Sequence, residues 1–227
     1  MSQMALPLQL ADHAVFASFH AAGNETLVAT LRGLAAGEGG DGCWIRGATS
    51  TGKTHLLQAV CDSAGDQSIY VPLAMLAEAG PGVLEGLAQR SIICIDDIDT
   101  IAGAADWELA LFNLCNDLQE RSRQLVVSAA SAPRECGFKL ADLESRLSRL
   151  PVFQLHALGE AERAAALQLR AGHRGLDLPD ETAVYLLRRV PRDMTSLYAM
   201  LDRLDLEALR AKRRLTIPFV RDVLNSG

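Results

Sequence analysis

At 227 residues, 49% of them hydrophobic, the chain is long and apolar enough to bury one large core, or one core with a small appendage, without covalent staples. Its five cysteines (Cys43, Cys61, Cys94, Cys115, Cys136) are odd in number and contain no C-x-x-C pair, so neither a disulfide framework nor a zinc site is indicated, and buried free thiols are expected. A net charge of −6 argues against a surface that coats nucleic acid unaided, and no apolar run approaches the roughly 20 residues that cross a bilayer, so a cytoplasmic protein with no membrane partner is expected.

The charge is unevenly spread. Residues 1–158 hold 10 Lys/Arg against 18 Asp/Glu, whereas residues 159–227 hold 12 against 10. The basic C-terminal part suits a solvated or nucleotide-facing helical face better than a DNA groove reader.

Near the N-terminus, Gln3, Met4, Leu6, Pro7 and Leu8 form an apolar cluster around a proline that favours extended backbone. Such a segment suits a partner's groove at low ordering cost, and equally suits a terminal strand packed on its own domain. Phe16 and Phe19 follow. Asn24 or a neighbour is placed to cap a helix running to about Ala36, and Gly37–Gly42 reads as a polar loop.

Between a short apolar strand (Cys43-Trp44-Ile45) and a helix from His55 to Ser63 lies Gly47-Ala48-Thr49-Ser50-Thr51-Gly52-Lys53-Thr54. It satisfies G-x-x-x-x-G-K-[ST] at every fixed position and in the required strand–loop–helix context. Converging backbone N–H groups and a helix N-terminus suit a polyphosphate. Lys53 would reach the β/γ-phosphates and the Thr54 hydroxyl a magnesium ion.

Ser68–Pro72 reads as the next strand, with a helical region broken at Gly80-Pro81-Gly82. Ser91-Ile92-Ile93-Cys94-Ile95-Asp96-Asp97 is an apolar run ending in two acids, the pattern of a buried parallel strand whose C-terminal end faces a ligand crevice. Asp96 is assigned to the magnesium ion, and Asp97 to polarising a water, with capping as the plain alternative. Trp107, Ala110, Leu111, Leu114 and Leu118 give an amphipathic helix from Ala105 to Ser122 whose stripe is core and carries no chemistry. Gln124–Ser128 is a strand, Asp142–Arg149 a short helix and Val152–Leu155 a fifth strand. From Gly159 the pattern is wholly helical, broken at Gly175, Pro179 and Pro191, with a last short helix opened by Thr216-Ile217-Pro218.

Phosphate loop, strand with two terminal acids, strand, arginine-bearing helix, strand and helical lid together resemble the AAA+ ATPases over nearly the whole chain. Gly52-Lys53-Thr54-His55-Leu56-Leu57 and Ile95-Asp96-Asp97-Ile98 resemble the replication initiator DnaA. DnaA continues beyond its lid into a DNA-binding domain, whereas this sequence ends at Gly227, and residues 3–8 resemble peptides bound by the bacterial β sliding clamp. The combination resembles the Hda family, as do Phe16–Phe19, Leu167–Ala171 and Leu215–Val220. The implied fold is α/β: an AAA+ P-loop domain with a parallel five-stranded sheet ordered 5-1-4-3-2, plus a C-terminal all-helical lid. The implied division is a clamp-binding segment at 1–12, a nucleotide-binding domain at 13–158 and a lid at 159–227.

The resemblance also implies ADP or ATP with Mg²⁺ as cofactors. Their candidate ligands are Gly47, Thr49, Ser50, Thr51, Gly52, Lys53, Thr54, His55, Asn24, Asp96 and Arg192, the last as sensor-2 arginine. Arg146 matches the arginine finger, which acts on nucleotide in a neighbouring subunit; a pairing with Asp142 or Glu144 on its own helix is the plain alternative. The sensor-1 position falls on Ala130, leaving Ser128 or Ser131 as substitutes, and the second acid is Asp97 rather than the usual glutamate, so intrinsic hydrolysis is expected to be weak or absent. The expected partners are the β sliding clamp of DNA polymerase III, DnaA, DNA indirectly through the clamp, and a second copy of the chain. The rival expectation is an ATP-driven remodelling enzyme or helicase loader acting through its own hydrolysis; a small-molecule kinase fits less well.

Overall fold

The structure is a computed structural model and describes residues 14–225. The clamp-segment residues Gln3, Met4, Leu6, Pro7 and Leu8 lie outside the described residues. Five parallel strands make one sheet: β1 (Gly42–Arg46), β2 (Ser68–Pro72), β3 (Ile92–Asp96), β4 (Gln124–Ala129) and β5 (Val152–Gln154). Their spatial order is β2-β3-β4-β1-β5, the order implied by the family resemblance. Around them run α1 (Glu25–Ala35), α2 (Lys53–Ala64), α3 (Leu73–Leu76), α4 (Ala105–Glu120) and α5 (Ala141–Leu147).

Side chains of a strand alternate between faces, and on β1, β3 and β4 both faces are buried. Ile92, Cys94, Cys43, Ile45 and Val126 join the core under α1 and α2, with Leu31, Leu56, Leu57 and Val60. Ile93, Ile95, Trp44, Leu125 and Val127 join the core under α4 and α5, with Leu111, Leu114, Leu143 and Leu147. The even face of β3 is therefore the α2 face, and Asp96, next in that series, is aimed toward the start of α2. Gly42 opens β1 at φ 131°, and a Cβ there would lie 1.8 Å from Leu125 O, so only glycine lets β1 begin so close to β4.

Several boundaries differ from the sequence reading for local reasons. β3 stops at Asp96 because Asp97 is left-handed (φ 52°, ψ 50°). The α4 helix stops at Glu120, two residues before the left-handed Ser122 (φ 52°). Asn24 sits at the N-cap position of α1, yet its side chain makes no capping bond. Its carboxamide instead accepts from His156 N (2.8 Å) and donates to His156 O (3.2 Å) and Ala22 O, pinning the end of β5 to the start of α1.

Four further helices, α6 (Glu160–His173), α7 (Asp180–Arg189), α8 (Met194–Ala211) and α9 (Ile217–Asn225), pack around their own core of Leu167, Leu186, Leu201, Leu204 and Val220. Among the described residues, no helix is long and apolar enough to cross a membrane.

Candidate nucleotide-binding site

With β4 between β1 and β3, the loop leaving β1 and the acids ending β3 open onto one edge of the sheet. Gly52 caps α2 in the left-handed region (φ 103°), and a Cβ on it would lie 2.9 Å from the Phe19 ring, so residues 15–19 cover the loop closely. Ser50 is also left-handed (φ 62°), a conformation that costs a non-glycine residue about 1–3 kcal/mol and clusters at ligand sites. The Lys53 ammonium is buried and donates to Gly47 O (2.8 Å) and Ala48 O (3.2 Å), while the Thr51 hydroxyl donates to Ala48 O (2.9 Å). Thr49 and Thr54 are exposed, Thr54 in the first turn of α2.

His55, expected among the nucleotide ligands, is tied to the segment that precedes α1. Its Nε2 lies 2.9 Å from Val15 O and its ring meets Phe19 edge-on at 5.3 Å, so the imidazole clips residues 15–19 to α2. Burial is the main cause that lowers its pKa to about 4, so at neutral pH it is uncharged and carries its proton on Nε2 to donate to Val15.

Asp96 is buried with both carboxylate oxygens engaged: Oδ1 accepts from the Ser128 hydroxyl and Oδ2 from the Tyr70 hydroxyl at 2.8 Å. Burial and then the Asp96 charge raise the Tyr70 pKa, keeping that hydroxyl protonated. Ser128 Oγ also accepts from Asp97 N (3.0 Å), so one serine on β4 fixes both acids. Burial and then the charge of Asp96 raise the pKa of Asp97, Lys53 being the cation that works against them. Two adjacent carboxylates at the end of β3, with Lys53 near enough to act on Asp97, are hard oxygen donors of the kind a divalent cation takes. Among the described residues there is no group of three or more His, Cys, Asp or Glu able to hold a metal alone, so such an ion would rely on phosphate oxygens as well. At the end of β4, Ala130 offers no polar side chain, and its N–H is taken by Asp99 Oδ2 (3.1 Å).

The lid meets the phosphate loop directly. Thr195, in the first turn of α8, donates to Ser50 Oγ at 2.9 Å. Arg192 lies two residues before α8 and is 65% exposed; its guanidinium stands 3.9 Å from Glu160 of α6. Asn24 has both amide hydrogens engaged, as described above.

Arg146 is elsewhere. It stands one residue from the end of α5, which leads through Pro151 into β5, and it shares a cavity wall with Gly42, the first residue of β1. That is the N-terminal edge of the sheet, opposite the phosphate loop. Its guanidinium lies 5.4 Å over the Phe112 ring and donates to Gln119 Oε1, both on α4, with no acid of its own helix in ion-pair range.

Two contributors to this arrangement were not anticipated. Tyr70 is one of a run of β-formers in β2, and its role emerges only once β2 is known to lie beside β3. Glu108 is a buried carboxylate beside the apolar stripe of α4: it accepts from Gly103 N (2.6 Å), Lys139 N (2.9 Å) and Leu140 N (2.7 Å), holding the loop that launches α5 and Arg146.

Residues 160–224 match the family described as "Hda, lid domain". Among solved structures, domain III of the replication initiation protein DnaA from Thermotoga maritima superposes with a TM-score of 0.77 at 19% identity, covering 96% of this chain and 98% of that one. AMPPCP-bound DnaA from Aquifex aeolicus gives 0.67 at 20% identity, over 88% and 68% of the two chains. The Thermotoga maritima RuvB Holliday junction branch migration motor gives 0.63 at 18%, over 89% and 69%. At such identities these similarities carry the fold alone, and the family match speaks for residues 160–224. Residues 160–224 thus match an Hda lid domain, and they stand behind a core folded like domain III of DnaA.

Proposed function

We propose that the protein is a regulatory adaptor: a nucleotide-bound AAA+ module that docks on the DNA-loaded β sliding clamp through residues 3–8, presents Arg146 to ATP held by DnaA, and so restrains replication initiation. In this reading residues 13–158 are the nucleotide-binding unit and 159–227 the lid. The observation that carries it is the position of Arg146. A guanidinium at the opposite edge of the sheet from its own phosphate loop has no nucleotide of its own to act on, and among the described residues it has no carboxylate partner. Only a neighbour's nucleotide offers it a substrate. The Hda lid and the DnaA-like core support DnaA as that neighbour.

At the chain's own site, ADP or ATP is the ligand this reading assigns, in keeping with the AMPPCP held by a structural relative. Backbone N–H groups of residues 47–52 and the α2 terminus take the phosphates, with the Ser50 and Thr51 side chains beside them, and Lys53 leaves its carbonyl partners for phosphate oxygens. Asp96 and Thr54 would hold Mg²⁺, whose charge would offset that of the phosphates. Asp97 is the residue this reading assigns to polarising water, and with no polar side chain at Ala130 to help orient that water it assigns slow turnover here. Arg192 exchanges Glu160 for phosphate, and the Thr195–Ser50 contact makes the lid responsive to what the loop holds.

In DnaA, water attacks the γ-phosphorus and ADP leaves. Arg146, which stays charged in every environment, stabilises charge on the transferring phosphoryl.

Lys53→Ala and Thr54→Ala should each remove tight nucleotide binding while the domain stays folded, as read by titration with a fluorescent ADP analogue. Unchanged affinity in both would remove the phosphate loop from the site. Changing Gln3, Leu6 and Leu8 together to alanine should abolish clamp binding and spare nucleotide affinity, since two leucines represent roughly 3–6 kcal/mol of burial before ordering costs. A pull-down in which the triple variant retains clamp as wild type does would sink the docking assignment.

A further inference from the structure

A cavity of about 520 Å³ lies at the edge of the sheet opposite the phosphate loop, between the end of α1, the end of α4 and the end of α5. That volume is within the range of small-molecule sites. Its apolar wall includes Leu118, Leu147 and Leu150. Three guanidinium groups, Arg123, Arg146 and Arg149, also line it, and among the described residues none of them is ion-paired to a carboxylate. Arg123 Nε is closed to solvent and, among the described residues, has no hydrogen-bond partner, so that atom lies inside the wall and what Arg123 offers a ligand is the charge of its guanidinium.

We propose that this cavity binds a monoanionic ligand with an apolar body, its carboxylate or sulfonate held by Arg123 and Arg149 and its body laid on Leu118, Leu147 and Leu150. Charge sets the ligand class. The three arginines share the rim with two carboxylates, Glu38 and Asp41, leaving a net single positive charge. One negative charge satisfies that balance; a nucleoside polyphosphate or a nucleic-acid strand brings several and meets Glu38 and Asp41 as well. The apolar wall requires a body without polar groups, because burying unpaired polar atoms there is unfavourable. The site is separate from the phosphate loop and stands whether or not Arg146 acts on DnaA.

The test uses the full chain with anilinonaphthalenesulfonate, an aromatic monoanion that fluoresces in apolar surroundings, and phenylnaphthylamine, the same ring body without the charge. One equivalent of the sulfonate should bind saturably, about tenfold or more tighter than the neutral amine, and saturating MgADP should leave it bound. Arg123→Gln should weaken the sulfonate by about 10–100-fold, the range for a hydrogen bond to a charged group, and leave the amine unaffected. Its guanidinium has no side-chain partner to lose, so the melting temperature should hold; should that variant fail to fold, the exposed Arg149→Gln serves in its place with the same expected selectivity. Absence of saturable binding, equal affinity for the two probes, displacement by MgADP, or unchanged sulfonate affinity in the folded arginine variants would each overturn the proposal.

Discussion

Replacing Arg146 by alanine should leave nucleotide affinity, clamp binding and melting temperature close to wild type while lowering stimulated hydrolysis of DnaA-bound ATP by about 10³–10⁵, the range for arginine fingers supplied in trans. The fold has little to lose, because the side chain is partly exposed and, among the described residues, its polar contacts are the Phe112 ring and the hydrogen bond to Gln119. A cation–π contact at such a site contributes about 0.5–1 kcal/mol. The contrasting variant is Asp97→Asn. Asparagine tolerates the left-handed backbone at that position, and the change removes a carboxylate whose pKa is already raised by burial and by the Asp96 charge. An adaptor that acts through Arg146 should keep its activity in Asp97→Asn, whereas a motor acting on its own nucleotide should lose it. Single-turnover hydrolysis of labelled ATP preloaded on DnaA, with DNA-loaded clamp and each variant in turn, separates the two. Activity abolished by Asp97→Asn and preserved in Arg146→Ala would replace the adaptor by the motor.

The parts of the site that were legible in the sequence are those whose geometry is local. Gly47 to Thr54 encodes a turn, a helix start and a lysine within eight residues, and the Ile92–Asp96 run declares a buried strand because both of its faces are apolar. The order of the strands and the Arg146 assignment came from a family resemblance, since nothing in strand composition says which neighbour a parallel strand selects. What was missed depends on partners distant along the chain. Asn24 looked like a cap for the helix beside it, but its carboxamide serves His156, 132 positions away. Tyr70 meets Asp96 across 26 positions and only because β2 and β3 are adjacent. Arg146 was weighed against acids on its own helix, whereas α4 supplies its neighbours 27 and more positions back.

Glu108 is the most consequential of these, and Glu108→Ala should destabilise the protein by about 3–5 kcal/mol. Three backbone N–H groups, of Gly103, Lys139 and Leu140, would lose their acceptor, and each such loss costs about 1–3 kcal/mol, less where water can enter. At about 2–4 °C per kcal/mol for a chain of this size, the melting temperature should fall by roughly 10 °C. Activity should fall too, because Lys139 and Leu140 are the residues from which α5 is launched, and Arg146 depends on α5 for its position. The pH dependence has a defined sign. Burial works to raise the Glu108 pKa, but the N–H donors of Leu140, Gly103 and Lys139, with the Lys139 charge, outweigh it and the net direction is down. A carboxylate with a lowered folded pKa stabilises above its unfolded value of about 4.3, and that contribution is lost as pH falls through the folded value. His55 contributes in a different window: with its pKa lowered from 6.5 to about 4, the neutral ring favours the fold above 6.5, and this contribution is lost between those two values. Wild type should therefore lose stability in two stages on acidification, and Glu108→Gln should remove the more acidic one while leaving the stage between pH 6.5 and 4. Thermal melts of both Glu108 variants, carried from neutral pH to well below the unfolded carboxylate value of about 4.3, decide it: a wild-type melting temperature in Glu108→Ala would mean that the three N–H groups find other partners and that Glu108 does not hold α5 in place.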